Sequence, residues 1–251
     1  MLRKILIILI TTTALTLNVN AASDGNLLMK KNDPTEVKDC FEGINRATFA
    51  FNQVLDGIIF QPVASAYRVL PSPVKTGVSN SLDNLSNLIT IPNNILQGEF
   101  AKAGANTGRF AINTTIGILG LFDVAQYFGL TELEKEDYGQ SLAKFGFGPG
   151  CYVVLPVIGP STARDAVGSV GNFMGGDAWY NVTVKNDTQY FNDMDYYLSK
   201  ITSGVDFRAK NYDAIENLEK NSLDFYASVK SLYLQDRQQK ILNSKKSTNT
   251  Q

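Results

Sequence analysis

Apolar residues recur at three- and four-residue spacing along most of the chain, a period that predicts helices. From Cys40 to Phe60, plotted at 100° per residue, Phe41, Ile44, Ala47, Phe51, Val54, Leu55, Ile58 and Ile59 share about one half of the circumference. Glu42, Asn45, Arg46, Asn52, Gln53 and Asp56 take the other half, where Phe49 and Phe60 intrude. Pro62 predicts a break or kink near the end of this helix. A core-facing amphipathic helix is the plainer reading of that pattern. Phenylalanine and isoleucine on both faces also suit a helix lying in a lipid interface.

Pro71 and Pro73 mark a turn, followed by a second helical stretch from Val74 to Leu96, broken at Pro92. Gln97-Gly98 punctuates, and a third helix runs from about Glu99 to Asn113. Its Gly104 and Gly108 form a small-xxx-small pattern, which ordinary core packing explains as well as a helix interface in lipid does. Ile112 to Leu130 is the most lipid-like stretch downstream of the N-terminus and holds one charge, Asp123. Gly117, Gly120 and Thr114-Thr115 lower helix stability there, so short pieces and bends are expected. Between Tyr138 and Pro160 glycine and proline crowd the chain, and only Tyr152 to Leu155 has strand character, as one arm of a small hairpin. The C-terminal third keeps helical spacing at Ile215, Leu218, Phe225, Val229 and Leu232, and residues 243–251 read as a disordered tail. No internal repeat is present.

The N-terminus reads as a processing signal. Arg3 and Lys4 precede an apolar run from Ile5 to Leu17, and Val19-Asn20-Ala21 suits signal-peptidase cleavage after Ala21. The run is shorter than the ~20 residues of a spanning helix. Residues 22–38 read as a flexible leader. Cleavage would leave 21 basic and 24 acidic residues, net −3, and no basic surplus for a nucleic acid.

The chain contains no histidine. Histidine-based acid–base chemistry, Ser-His-Asp triads and histidine-ligated metals are excluded together. Gly146-Phe147-Gly148-Pro149-Gly150 is not followed by a helix, and no Gly-Lys-Ser/Thr occurs, so a loop is a better reading than a nucleotide site. Ser161 has no activating base; Ser161 or Thr162 instead caps a helix starting near Ala163, with Asp165 in its first turn. Glu132, Glu134, Glu136 and Asp137 read as a solvated acidic loop. Neither a catalytic set nor a cofactor or metal site is expected.

Ordered strings carry a family resemblance. Phe41-Glu42-Gly43-Ile44-Asn45-Arg46 leads to Phe49 and Phe51-Asn52; Gln61-Pro62-Val63-Ala64 and Tyr67-Arg68 follow. Next come Gly77-Val78-Ser79-Asn80, Asn84-Leu85, Asn93, Leu96-Gln97-Gly98, Arg109-Phe110, Asn113-Thr114, Gly117 and Gly120-Leu121-Phe122-Asp123. Asp137-Tyr138-Gly139-Gln140, Gly146, Gly148-Pro149-Gly150, Tyr152, Leu155-Pro156, Gly159-Pro160-Ser161, Arg164-Asp165 and Leu232-Tyr233-Leu234-Gln235 complete the series. Together, over about residues 39–242, they resemble the MlaA/VacJ outer-membrane proteins.

The resemblance implies a mostly α, ring-like single domain of amphipathic helices in the periplasmic leaflet of a Gram-negative outer membrane, with an irregular Gly/Pro-rich loop or small hairpin. It implies removal of misplaced phospholipids from the outer leaflet, delivery to a periplasmic carrier, and association with a trimeric porin. A non-catalytic scaffold and a histidine-free lipid hydrolase are the alternatives. The lipid path or its gate is assigned to Asn113, Gly117, Leu119, Gly120, Leu121, Phe122 and Asp123, and a bulky residue at Gly117 or Gly120 is expected to narrow it with the fold intact. Family members carry a cysteine just after the signal, whereas residues 18–23 here read NVNAAS, so retention is expected through helices or a porin and without an acyl anchor. Cys40 and Cys151 stand where the family tends to have proline. They either form a disulfide in an oxidising compartment or remain two unrelated buried thiols.

Overall fold

The computed structural model describes residues 37–172, 177–181, 184 and 191–248, the last six as backbone. The expected signal peptide and all but the last two leader residues lie outside these. The elements run α1 (Glu42–Leu55), a π-helical turn (Asp56–Phe60), α2 (Gln61–Arg68), α3 (Ser72–Leu96), α4 (Phe100–Thr115) and a 3₁₀ turn (Ala125–Phe128). Then follow α5 (Tyr138–Lys144), β1 (Tyr152–Leu155), β2 (Gly159–Thr162), α6 (Ala163–Gly171), α7 (Ala178–Tyr180), α8 (Asp193–Lys210), α9 (Tyr212–Asn221) and α10 (Phe225–Thr248). The domain is mostly α, with one antiparallel hairpin in which Tyr152 pairs with Thr162 and Leu155 with Gly159. Thr162 caps α6, its side chain accepting from the Asp165 N–H.

Pro62 is expected to break or kink its helix and Pro92 to break the next; a π-helical interruption lies just before the first, whereas the second leaves its helix continuous. Pro62 lies at the start of α2, directly after the π turn, where the Gln61 N–H bonds the Asp56 carbonyl five residues back. That wider turn clears the proline ring from the preceding carbonyls, so the helix continues to Arg68. Pro92 sits inside α3, where the Asn93 side chain donates to the Ile89 carbonyl at 2.8 Å and braces the turn that the ring crowds.

The helices carry the expected amphipathicity with its faces exchanged. On α1 only Asn45 is buried, while Ile44 is 67% and Phe51 52% exposed, as is Ile58 (70%) in the π turn that follows. Phe49, placed by its angle on the polar half, packs instead against the Tyr152–Val154–Tyr226 cluster. The buried residues of α3 are Ser79, Asn84, Asn87, Thr90, Asn93 and Asn94, all polar and at helical spacing. Helix α4 buries Ala103, Asn106, Arg109 and Asn113. Gly104 is exposed with no neighbour, so the small-xxx-small pair makes no helix contact. The core-facing reading of α1 is therefore overturned; its apolar face looks outward.

The hairpin is held from its free side by α1. Asn45 donates to the Tyr152 carbonyl (3.0 Å) and accepts from the Val154 N–H (2.9 Å). One face further along, Asn52 donates to the Leu155 carbonyl (2.9 Å) and accepts from the Val157 N–H (2.8 Å). Each amide spans a carbonyl and the N–H two residues on, as a neighbouring parallel strand would. The Tyr152 N–H bonds the Lys38 carbonyl and Val37 packs on the aromatic cluster, so the last two residues of the expected leader belong to the folded domain. The C-terminal boundary also moves. Helix α10 is described to Thr248, six residues into the stretch expected as a tail.

Cys40 and Cys151 are joined by a disulfide, with Cα atoms 5.6 Å apart across 111 residues of sequence. It ties the start of α1 to the start of the hairpin. Closing a loop of that length stabilises the fold by up to about 4–5 kcal/mol in the chain-entropy model. Reduction should therefore lower the thermal midpoint by several degrees, and Cys40→Ser with Cys151→Ser should reproduce the loss. Equal midpoints for oxidised and reduced protein would remove the disulfide from the stability of the domain.

Candidate functional site: a polar seam beneath an apolar loop

Helices α3 and α4 meet through amides and hydroxyls. Asn84 Nδ2 donates to Thr114 Oγ1 (2.8 Å) and Asn106 Nδ2 to Asn94 Oδ1 (2.9 Å). Gln97 Nε2 donates to Glu136 Oε2 (2.9 Å), and Ser141 Oγ to Asn93 Oδ1 (2.6 Å), which brings α5 onto the same seam. Buried amides are tolerated because partners replace their water.

The centre of the seam is the guanidinium of Arg109. It donates twice to Asp123, at 3.0 Å each, and to the Leu130 carbonyl. Asn113 donates to Asp123 Oδ1 (2.8 Å) and accepts from the Ala125 N–H (2.8 Å). The lone charge of the lipid-like stretch thus neutralises a buried arginine and pins the middle of the 116–130 segment to α4, while Arg109 holds its far end through the Leu130 carbonyl. Between α4 and Asp123 the chain bends sharply, with positive φ at Ile118, Leu119 and Gly120. Ile118, Leu119, Leu121 and Phe122 are exposed, and Leu121 offers its carbonyl to Asn80 Nδ2.

Of the residues assigned to the lipid path, Asn113 and Asp123 are polar anchors below the loop, while Leu119, Leu121 and Phe122 form its outer apolar surface. Gly117 and Gly120 have no room for side chains. A Cβ on Gly117 would lie 2.3 Å from the Phe122 carbonyl oxygen. One on Gly120, at φ +88°, would lie 2.6 Å from Asn84 Cβ. A bulky residue at either would break the turn, contrary to the expectation that the fold would survive it.

The other motif residues fall into separate groups. Phe41, Glu42, Gly43 and Phe51 line the exposed face of α1. Arg46 pairs with Glu42 (2.8 Å) and Asp224 (2.6 Å) and covers the Tyr226 ring, at a largely solvated position that contributes little. Gly139, Gln140, Arg164 and Asp165 gather where α5 packs on α6, around Arg237 of α10. Arg237 donates to both oxygens of Asp137 (2.6 Å each) and both of Asp165 (2.9 and 3.0 Å). Burial raises both carboxyls, but the guanidinium prevails and holds them below the usual carboxylate range. Gly139 is required beneath this group: its Cβ would meet Asp165 Oδ1 at 2.4 Å and Arg237 Nη2 at 2.5 Å. Gly148 is open, the Pro149 carbonyl accepts from the Arg164 N–H, and Gly150, at φ +69°, abuts Ala163. Pro156 is exposed at the hairpin tip, and Gly159 and Pro160 begin β2.

Arg237 and Glu136 were not singled out from sequence. Arg237 lies 100 residues from Asp137 and just outside the Leu232–Gln235 string of its helix. Glu136 was placed on a solvated loop, yet it is 4% exposed, and burial pushes its carboxyl up to about 7 against the opposing Gln97 hydrogen bond. Among the described residues, no group of three or more His, Cys, Asp or Glu could hold a metal ion. No described helix is long and apolar enough to cross a membrane.

A helical domain that keeps amides and ion pairs inside and turns isoleucine and phenylalanine outward belongs to the class of proteins adapted to a lipid surface. The model of the MlaA lipoprotein family matches residues 37–240, and the chain belongs to that family. An uncharacterised Rickettsia bellii protein is 36% identical over 208 residues, 82% of this chain and 78% of its own. The Escherichia coli K12 intermembrane phospholipid transport system lipoprotein MlaA is 33% identical over 225 residues, 88% of this chain and 82% of its own. A solved structure from work on the structural basis for maintenance of bacterial outer membrane lipid asymmetry superposes with a TM-score of 0.65 at 33% identity, covering 79% of this chain and 96% of that one.

Two outcomes follow for the seam. Asp123→Ala leaves Arg109 buried without its counter-ion and should destabilise the protein by about 3 kcal/mol in urea unfolding; a change below about 0.5 kcal/mol would remove the pair from the scaffold. Glu136 binds its proton more tightly folded than unfolded, so its contribution is present below its ordinary value near 4.5 and is lost as pH rises towards about 7. Glu136→Gln, which can still accept from Gln97, should raise the melting temperature at pH 8 and leave it nearly unchanged at pH 4. An identical effect at both values would contradict the buried-acid assignment.

Proposed function

We propose that this protein moves phospholipids at the outer membrane, removing them from the outer leaflet and passing them to a periplasmic carrier so that lipid asymmetry is kept. The observation that carries the reading is the exchange of faces, with polar residues buried along α1, α3 and α4 and large apolar ones exposed along α1, the 116–128 segment and α8. Water penalises such a surface, whereas acyl chains accept it. Three relatives, from Escherichia coli, Shigella flexneri and Haemophilus influenzae, are intermembrane phospholipid transport system lipoproteins, which supports the same role here. A path for lipid needs apolar walls for tails and hydrogen-bonding groups for headgroups, and the 116–123 loop over the Arg109–Asp123–Asn113 anchor supplies both. The reading assigns binding and guidance to these residues, without covalent chemistry, and gives the protein a trimeric porin and a soluble lipid carrier as partners.

Interfacial residues on α1 supply part of the membrane hold, each large side chain contributing about 1.5–3 kcal/mol when covered. Proteoliposomes containing the protein should transfer labelled phospholipid to a carrier at rates well above protein-free vesicles. Ile44→Asp with Ile58→Asp should weaken vesicle binding by at least tenfold while leaving unfolding in detergent unchanged, since both side chains are exposed. Protein that holds its partners but transfers no lipid would make it a scaffold.

A further inference from the structure

Without the π turn, α1 and α2 would be one regular helix, and the turn adds a single residue to it. At about 100° per residue, an uninterrupted helix would place Val63 about 100° round from Ile44, on the side where Asn45 is buried. The extra residue takes back about 100°, which brings the exposed Val63 into line with Ile44 and Phe51. Ala64, fully buried on α2, comes by the same step to the angle of Asn45. The inward and outward faces of α1 therefore continue in phase through α2.

The outward strip carries no charge. Between Arg46 and Arg68 every exposed residue is apolar, glycine or proline apart from Ser65. The amides and the carboxylate of the same stretch turn the other way: Asn52 to the hairpin, Gln53 to Glu219, Asp56 to Arg208 and Gln61 to Glu216. A soluble protein partner would meet a single hydroxyl over about 28 Å of helix, whereas acyl chains need no hydrogen-bonding group at all.

Helical turns of this kind are rare, and this one is gripped at both ends. Arg208 of α8, 6% exposed, donates through Nε and Nη2 to Asp56 at the start of the turn, at 2.9 Å each. Gln61, the first residue past it, donates to Glu216 of α9 (3.0 Å), and Arg208 Nη2 reaches the same Glu216 oxygen (3.1 Å). We propose that Arg208 and Glu216 are positioning residues for lipid contact. They hold the extra residue in place, so that α1 and α2 offer acyl chains one continuous strip from Ile44 to Val63. The assignment rests on the membrane reading above and adds to it the device that sets which way α2 faces.

The test is quenching of a single tryptophan in full-length protein bound to vesicles of phosphatidylcholine brominated at mid-chain. Trp179 is replaced by phenylalanine, and the reporter is Phe51→Trp or Val63→Trp, both at exposed positions. The two reporters should be quenched alike. A rotation of about 100° on a helix about 10–12 Å across shifts a side chain by about 6 Å, comparable to the ~5–10 Å that an interfacial helix sinks. Deleting Gly57, which has no neighbour within 4 Å, restores a regular turn and should set the two reporters apart by about twofold. Arg208→Lys keeps the charge but loses the two-pronged grip, and should separate them less, with the fold retained. Quenching at 51 without quenching at 63 overturns the strip and leaves the membrane hold of α1 standing; quenching at neither overturns both. A ratio unchanged in Arg208→Lys, whatever its unfolding in detergent, makes Arg208 a structural residue only and sinks the proposal. Lipid transfer is scored on the same vesicles, so its absence with equal quenching upholds the strip and counts against the transport reading alone.

Discussion

An amide buried beneath an apolar surface has no water to fall back on, and this protein buries many. Leaving one unpaired costs about 1–3 kcal/mol, whereas each completed hydrogen bond returns only about 1 kcal/mol net. Position is thereby constrained more strongly than stability is increased. Asn84 must meet Thr114, Asn94 must meet Asn106 and Gln97 must meet Glu136, so α3, α4 and α5 have little freedom to slide. An oily core of interchangeable leucines would tolerate repacking. The exterior is thereby left free to be apolar without the helices losing their register.

The same constraint explains the lipid-like segment between α4 and α5. Its backbone bends through three successive positive φ values at Ile118, Leu119 and Gly120 and would not hold this shape alone. Asp123, Asn113 and Arg109 fix it from beneath, and Asn84 packs against Gly120 so closely that a side chain is excluded. Polar contacts below thus determine which apolar groups stand above, and the loop can present Leu119 and Phe122 outward without a packed partner.

Much of the secondary structure was legible because the helical period depends on spacing alone. The strand at Tyr152, the cap at Thr162 and the bends after Asn113 carry local signals of the same kind. Which face lies inside was not legible for α1, because a wheel of Phe41, Ile44, Phe51 and Ile58 opposite Asn45 and Asn52 looks the same with water or lipid on the apolar side. Pro92 misled because the Asn93 brace acts through geometry that no proline rule contains. Arg237 and Glu136 stayed hidden for another reason: their roles come from partners far along the chain, and neither stands in a recognisable local pattern.

Asn45 and Asn52 act as a ruler between two kinds of structure. Seven helical residues rise about 10.5 Å, and the three-residue step from Tyr152 to Leu155 along β1, whose carbonyls the two amides meet, covers about 10 Å. Two turns of α1 therefore measure out one stretch of hairpin, and both amides land on waiting backbone groups. Losing a single residue between them would turn one amide through about 100° and shift it by about 1.5 Å, beyond reach of its partner. Helix and hairpin can consequently vary in composition along their outer faces, but their lengths are locked to each other.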